Sequence, residues 1–225
     1  MAEARHDKSK LHFQLDRISF FSDGVFAIAI TLLIIEFKVP VIEHATDLVL
    51  WHSLSHMGLK LVGFIISFFI VGYYWSVHHR IFGYVEKYTE RLIWLNLYFL
   101  FTVVLLPFSS GLLGEYTSES NLHIPYAIYV FNIVLTALMN AVLWLYVSDP
   151  KKQMLTHEIS PERIRLGFYF TLVVPALFII SFLVTFINPL IGRLIPALIP
   201  IVLRYGLNGL SKRAMEKEAE RLHKH

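Results

Sequence analysis

Residues 17–36 read Arg17-Ile18-Ser19-Phe20-Phe21-Ser22-Asp23-Gly24-Val25-Phe26-Ala27-Ile28-Ala29-Ile30-Thr31-Leu32-Leu33-Ile34-Ile35-Glu36. From Phe20 the apolar run extends to Val39, with Asp23, Glu36 and Lys38 as its only charges. A helix rises about 1.5 Å per residue and a bilayer core is roughly 30 Å thick, so about 20 mostly apolar residues cross it. The stretch is expected to be a membrane-spanning helix. Five more stretches meet the same requirement: Met57 to Val77 (continuing through Phe82), Leu92 to Leu113, Ile124 to Val147, Leu166 to Ile187, and Leu190 to Leu207. The last is the shortest and carries Pro196 and Pro200, which interrupt the backbone ladder.

The expectation is therefore an all-α membrane protein: a tail at residues 1–17, a six-helix membrane domain at 18–207 and a second tail at 208–225. Composition agrees. The chain has 225 residues, 56% hydrophobic and 16% charged, too apolar for an ordinary soluble domain or for disorder. With no cysteine, a disulfide framework, a thiolate metal site and a cysteine nucleophile are all excluded. The polar N-terminal segment mixes both signs of charge, and Phe20–Val39 has no small-residue cleavage site, so a signal peptide is not expected.

Basic residues set the orientation. Of the 20 Lys and Arg, 17 fall in the N-terminal tail, the connections after spans two and four, and the C-terminal tail. The opposite connections hold only Lys38 and Arg193, and Lys60 lies within span two. Both termini are expected on the cytoplasmic side, which requires an even number of spans.

Asp23 sits about a turn inside the first span. An ionised carboxylate near mid-membrane costs about 2.5–3.5 kcal/mol, less toward the edges, so it wants a partner. Arg17 is six residues away, on another face of the helix, and is not an i,i+4 mate. The partner is expected from another helix or subunit. The second span ends Tyr73-Tyr74-Trp75-Ser76-Val77-His78-His79-Arg80 and returns to the depth where the first begins. Ser22, Asp23, Trp75, His78 and His79 are thus placed for one hydrogen-bonded cluster. Two readings stay open: a proton-sensing or coupling site, since His titrates near neutrality, and a polar clamp between helices. A metal site is disfavoured, because His78 and His79 are adjacent and point about 100° apart.

Arg17-x-x-x-Phe21-Ser22-Asp23 resembles the signature of the transmembrane protein 175 family of cation channels. Trp75-x-x-His78-His79 and Leu106-Pro107-Phe108-Ser109 also resemble family features. The resemblance implies a bacterial or archaeal member in the cell membrane, with six helices per chain, four chains per channel, potassium as the permeant ion and no cofactor. It further implies that the first helix lines the pore and that large apolar side chains form the constriction. Counting from the motif Asp, the match falls on Ile28, then on Thr31 or Leu32, then on Ile35.

Helical geometry tests whether these residues share a face. At 100° per residue, Ile28, Leu32 and Ile35 fall within about 60° of arc, Thr31 flanks them on one side and Glu36 on the other, while Asp23 lies about 140° from Ile28. A division of labour is expected, with apolar residues toward an axis and Asp23 toward neighbouring helices. Thr31 would offer a hydroxyl beside the neck, and Glu36 would add negative potential at the outer mouth. No Thr-Val-Gly-Tyr-Gly filter is present; Val71-Gly72-Tyr73-Tyr74 lies inside a span.

The competing reading is a proton-coupled secondary transporter using Asp23 with His78 and His79. The missing internal repeat and the lack of paired broken helices speak against it. An enzyme is not expected: no His-Glu-x-x-His, phosphate loop or supported Ser-His-Asp set occurs. Nor is a nucleic-acid partner. The expected surroundings are lipid, monovalent cations and further copies of the chain.

Overall fold

A computed structural model describes residues 2–117, 119, 122–155 and 161–203, with side chains from residue 13 onward. Its helices are α1 (Ala2–Ile35), α2 (Asp47–His56), α3 (Gly58–Gly83), α4 (Glu90–Glu115), α5 (Ile124–Val147), α6 (Pro161–Thr185), α7 (Pro189–Leu194) and α8 (Ile199–Ile201), with 3-10 turns at Pro150–Lys152 and Ile195–Leu198. Five of them are long and apolar enough to cross a membrane: α1 over Phe13–Ile35, and the whole of α3, α4, α5 and α6. The chain is a multi-pass membrane protein.

The structure adds detail at three boundaries. The expected N-terminal tail is helical and continuous with the first span, since α1 runs unbroken from Ala2. That span stops at Ile35 rather than Val39. Phe37 N–H bonds back to Ile34 O and Lys38 N–H to Glu36 O, closing a turn. Pro40 follows four residues after Glu36, and the residue before a proline is pushed out of the helical region. Within the expected sixth span, the described residues form an apolar segment, Pro189–Ile201, with a 3-10 stretch at Ile195–Leu198. Residues 204–225, which include the end of the expected sixth span and the 208–225 tail, lie outside the described residues.

The centre of the bundle is α4, which packs against α1, α3 and α5; α5 packs on α6, and α6 on α7. Thr89 caps α4 by accepting the Leu92 N–H at 3.1 Å. This position suits a short side-chain oxygen, because the first helical N–H groups lack partners. Several polar side chains in the spans find partners on other helices, which offsets the cost of their burial in the apolar core. Asn132 Nδ2 donates to Ser109 Oγ at 3.0 Å, and the Ser67 hydroxyl meets those of Ser110 at 2.7 Å and Tyr129 at 2.9 Å. The sixth segment is held to α6 by close backbone approach. Ser181 Oγ donates to Gly192 O at 2.6 Å, and a Cβ at Gly192 would come within 2.7 Å of Thr185 N.

The α3–α4 and α5–α6 connections meet at one end of the bundle: Glu86 N–H donates to Met154 O at 2.8 Å, and Val85 pairs with Leu155. Basic residues gather here, with Arg91 and Lys152 both over the Tyr146 ring and Arg163 over Tyr84. Lys152 hydrogen-bonds Asp149, and the Lys151 N–H adds a second bond; together they hold that carboxyl below the usual carboxylate range.

Candidate functional site: the first helix and its clamp

Two faces of α1 have opposite environments. Ser22, Phe26, Ala29 and Leu33 are buried, spaced by four, three and four residues, and so form one stripe. They pack inward: the Phe26 ring lies 5.6 Å from His78 and 6.0 Å from Phe99. Roughly 120° around the helix, Ile28 is 60% exposed, Leu32 38% and Ile35 66%. Phe21, Gly24 and Thr31 are exposed on the same side. This apolar face is left largely uncovered by the described residues. The Thr31 hydroxyl donates back to its own helix, to Ile28 O at 2.9 Å with Ala27 O at 3.1 Å. Its oxygen lone pairs stay available as acceptors.

The packed side of α1 is tied to α3 and α4 by two separate polar contacts. In the first, Trp75 Nε1 donates to Asp23 Oδ1 at 2.9 Å, and the His79 ring lies 5.7 Å from the Trp75 ring on the exposed side. In the second, His78 Nε2 lies 2.8 Å from Asn96 Oδ1, Asn96 Nδ2 donates to Ser22 Oγ at 2.9 Å, and Ser22 Oγ donates to Ile18 O at 2.8 Å. A carbonyl oxygen only accepts, so His78 carries its proton on Nε2. The chain of donors is therefore directed from α3 through α4 to α1, and it ends on a backbone carbonyl. His78 Nδ1 is buried without a hydrogen-bond partner among the described residues. The imidazole sits between Phe82 and Phe99, with ring centroids 4.4 and 5.6 Å away. A second proton on that ring would meet no acceptor there.

The expected single cluster is thus two clamps. Asp23 meets Trp75 and Ser22 reaches His78, but the link between Ser22 and His78 is Asn96, which the sequence reading did not single out. Its signal was there: a lone amide between Leu95 and Leu97 in an apolar span, which must find a partner inside the bundle. Arg17 is not brought to Asp23; its guanidinium lies 6.0 Å from the Phe13 ring, and it makes no ion pair among the described residues. Phe21 is exposed.

Glu36 lies just past the end of α1 rather than on its last turn. Its side chain presses on Gly111 of α4: a Cβ there would stand 2.7 Å from Glu36 Oε2 and 2.8 Å from Cγ. The expected end of the third span at Leu113 moves out slightly, since α4 continues to Glu115. Glu36 also lines a cavity with Lys60, Tyr126, Tyr129 and Arg193. Lys60 Nζ pairs with Glu115 at 3.2 Å, and Arg193 Nη1 donates to Thr117 O at 2.6 Å. Among the described residues no cluster of three or more His, Asp or Glu is arranged for a metal ion.

Known proteins resemble this chain in sequence and in fold. Residues 17–107, from the motif Arg to the α4 proline, match the family described as endosomal/lysosomal potassium channel TMEM175. A Streptomyces collinus protein named a potassium channel is 38% identical over 67% of this chain and 76% of its own length. A Chryseobacterium protein, also named a potassium channel, is 31% identical over 72% and 82%. Among solved structures, the lysosomal potassium-selective channel TMEM175 homologue from Chamaesiphon minutus superposes with a TM-score of 0.73 at 27% identity, over 87% of this chain and 98% of that one. Shared identity, a shared fold and the Arg17–Asp23 signature agree: the chain belongs to the TMEM175 family, which consists of channels and not enzymes.

Proposed function

We propose that the protein is a potassium-permeable channel of a prokaryotic cell membrane, built from four copies of the chain around an axis lined by α1. The observation that carries this reading is the bare apolar stripe of Ile28, Leu32 and Ile35, roughly 120° around the same helix from its packed stripe. Apolar residues exposed on a helix whose other side is clamped need either lipid or another copy. The relatives named potassium channels favour the second. A ring of such side chains makes a narrow neck that expels water, and a cation crosses a dewetted gap only at high cost. Small shifts of α1 would wet the neck and open it. Thr31 would then present a hydroxyl oxygen to a partly dehydrated cation.

The tail and the α3–α4 and α5–α6 connections face the cytoplasm in this reading, as their basic residues favour. The transporter alternative finds less support. A relay needs continuity, whereas the His78–Asn96–Ser22 chain ends on Ile18 O instead of passing to Asp23.

The test is potassium efflux from liposomes holding the purified protein, with no proton gradient imposed. Protein-dependent efflux under these conditions is expected. Efflux that appears only when a proton gradient drives it would replace the channel with the transporter.

A further inference from the structure

Helix α2 lies in the connection between α1 and α3 and was not anticipated from the sequence. Thr46 caps it, accepting the Val49 N–H at 3.3 Å, and none of its residues is buried. Its sequence, Asp47-Leu-Val-Leu-Trp51-His52-Ser-Leu-Ser55-His56, puts two histidines four residues apart, on one face and one turn from each other. The two Nε2 atoms are 3.3 Å apart and the ring centroids 4.5 Å. The rings therefore converge through their Nε2 edges.

We propose that His52 and His56 form a two-nitrogen binding site for a divalent transition-metal cation of the zinc and copper class. Metal–imidazole bonds are about 2.0–2.1 Å long. Two nitrogens 3.3 Å apart then subtend about 104–111° at a shared ion, close to the tetrahedral angle that zinc adopts. The contact has weaker uses without an ion. One proton shared between two neutral imidazoles in reach of water contributes little, because water offers both rings the same bond. Neither ring is committed elsewhere by a hydrogen bond among the described residues: Ser55 Oγ donates to the His52 carbonyl at 2.7 Å, not to its ring. Imidazole pairs select copper, nickel and zinc over magnesium and calcium, which prefer oxygen. With no cysteine in the chain, no thiolate competes for the ion. The pair lies on a capped helix, so its two ligands are positioned before binding. Water would complete the coordination, since no third His, Asp or Glu joins the pair among the described residues.

The test is calorimetric titration of the full-length purified protein with ZnCl2 and, separately, CuCl2. Wild type is compared with His52→Gln, His56→Gln and the double variant; all other histidines remain as a common background. Wild type should bind one more ion per chain than the double variant. Each single variant should weaken that site by at least the roughly tenfold that loss of a hydrogen-bond partner behind a ligand already costs. Copper should bind more tightly than zinc, and excess Mg²⁺ or Ca²⁺ should not displace either. Both side chains are exposed, so metal-free melting temperatures should match wild type and a lost site should not reflect unfolding. Equal stoichiometry and affinity in wild type and double variant would overturn the proposal. So would a loss confined to one of the two histidines, which would leave a single ligand and not a chelate.

Discussion

Trp75 Nε1 donates to Asp23 Oδ1 at 2.9 Å, joining the last turns of α3 to the first apolar turn of α1. Asp23 is thereby turned toward a neighbouring helix, away from the face that carries Ile28. The bond is charge-assisted, and such bonds are among the stronger ones. The Trp75 ring is exposed and Asp23 only half-buried, so the bond's net worth is modest.

Trp75→Phe keeps an aromatic ring and deletes the donor. It should lower stability by roughly 0.6–1.5 kcal/mol and leave the preference among monovalent cations unchanged. Asp23→Asn should act in the same direction, lowering assembly yield or melting temperature more than it changes ion preference. Thermal melting in detergent and reversal potentials in bilayers measure the two effects. A well-assembled, normally stable Asp23→Asn protein with altered selectivity would put Asp23 on the ion path instead.

The Ser22–Asn96–His78 chain makes a sharper demand, because its members are buried. Asn96→Leu strands the His78 Nε2–H and removes the bond to Ser22, at a cost of about 1–3 kcal/mol for each buried group left unpaired. Adding His78→Phe removes the stranded donor and keeps an aromatic ring between Phe82 and Phe99. The double variant should be more stable than Asn96→Leu alone. Strictly additive losses in a double-mutant cycle would show that the two side chains do not depend on each other.

The legible part of this architecture was what a single helix can announce by itself. Spans α1, α3, α4, α5 and α6 are long apolar runs, and hydropathy alone finds them. The Asp23–Trp75 bond was foreseeable because both ends lie at one membrane depth and a carboxylate there needs a donor. Asn96 was missed because choosing it requires knowing that α4 packs against both α1 and α3. The neighbour of a polar residue is a property of helix packing, not of either helix. Helix α2 was missed because ten mixed residues fit no span. The broken Pro189–Ile201 segment was half visible: its prolines marked the interruption, but not the close docking at Gly192 that holds it against α6.

Glu36 and Gly111 form a pair that can be tested from both sides. Gly111→Ala places a methyl 2.7 Å from Glu36 Oε2, so the glutamate must swing away. In the proposed channel, Glu36→Gln should reduce inward current at low salt and matter little at high salt, where the Debye length is only about 3 Å near 1 M. Gly111→Ala should change the low-salt current with Glu36 present and have little effect in the Glu36→Gln background at either salt. Equal effects of Glu36→Gln at both salt concentrations would contradict a surface-potential role.

Ile28 is the proposed narrowest ring, and two of its properties make that testable. Its side chain is bulky and branched, and it stands 60% exposed on the uncovered face of α1. Gly24, one turn earlier on the same face, leaves space with nothing within 4 Å of where a Cβ would be, so the channel would widen toward that end. Ile28→Ala removes three carbons from each chain. The neck should widen and hydrate, conductance should rise, and discrimination between potassium and larger monovalent cations should fall. Ile28→Asn keeps most of the bulk but offers water a hydrogen-bond partner, so the neck should wet with little widening. If dewetting is the barrier, both variants raise conductance, but only Ile28→Ala admits the larger ions. Because most of the side chain is uncovered in its own chain, neither substitution should unfold the bundle, and normal expression and melting are expected in both. Unchanged currents in both variants would move the constriction to Leu32 or Ile35, or off α1 altogether.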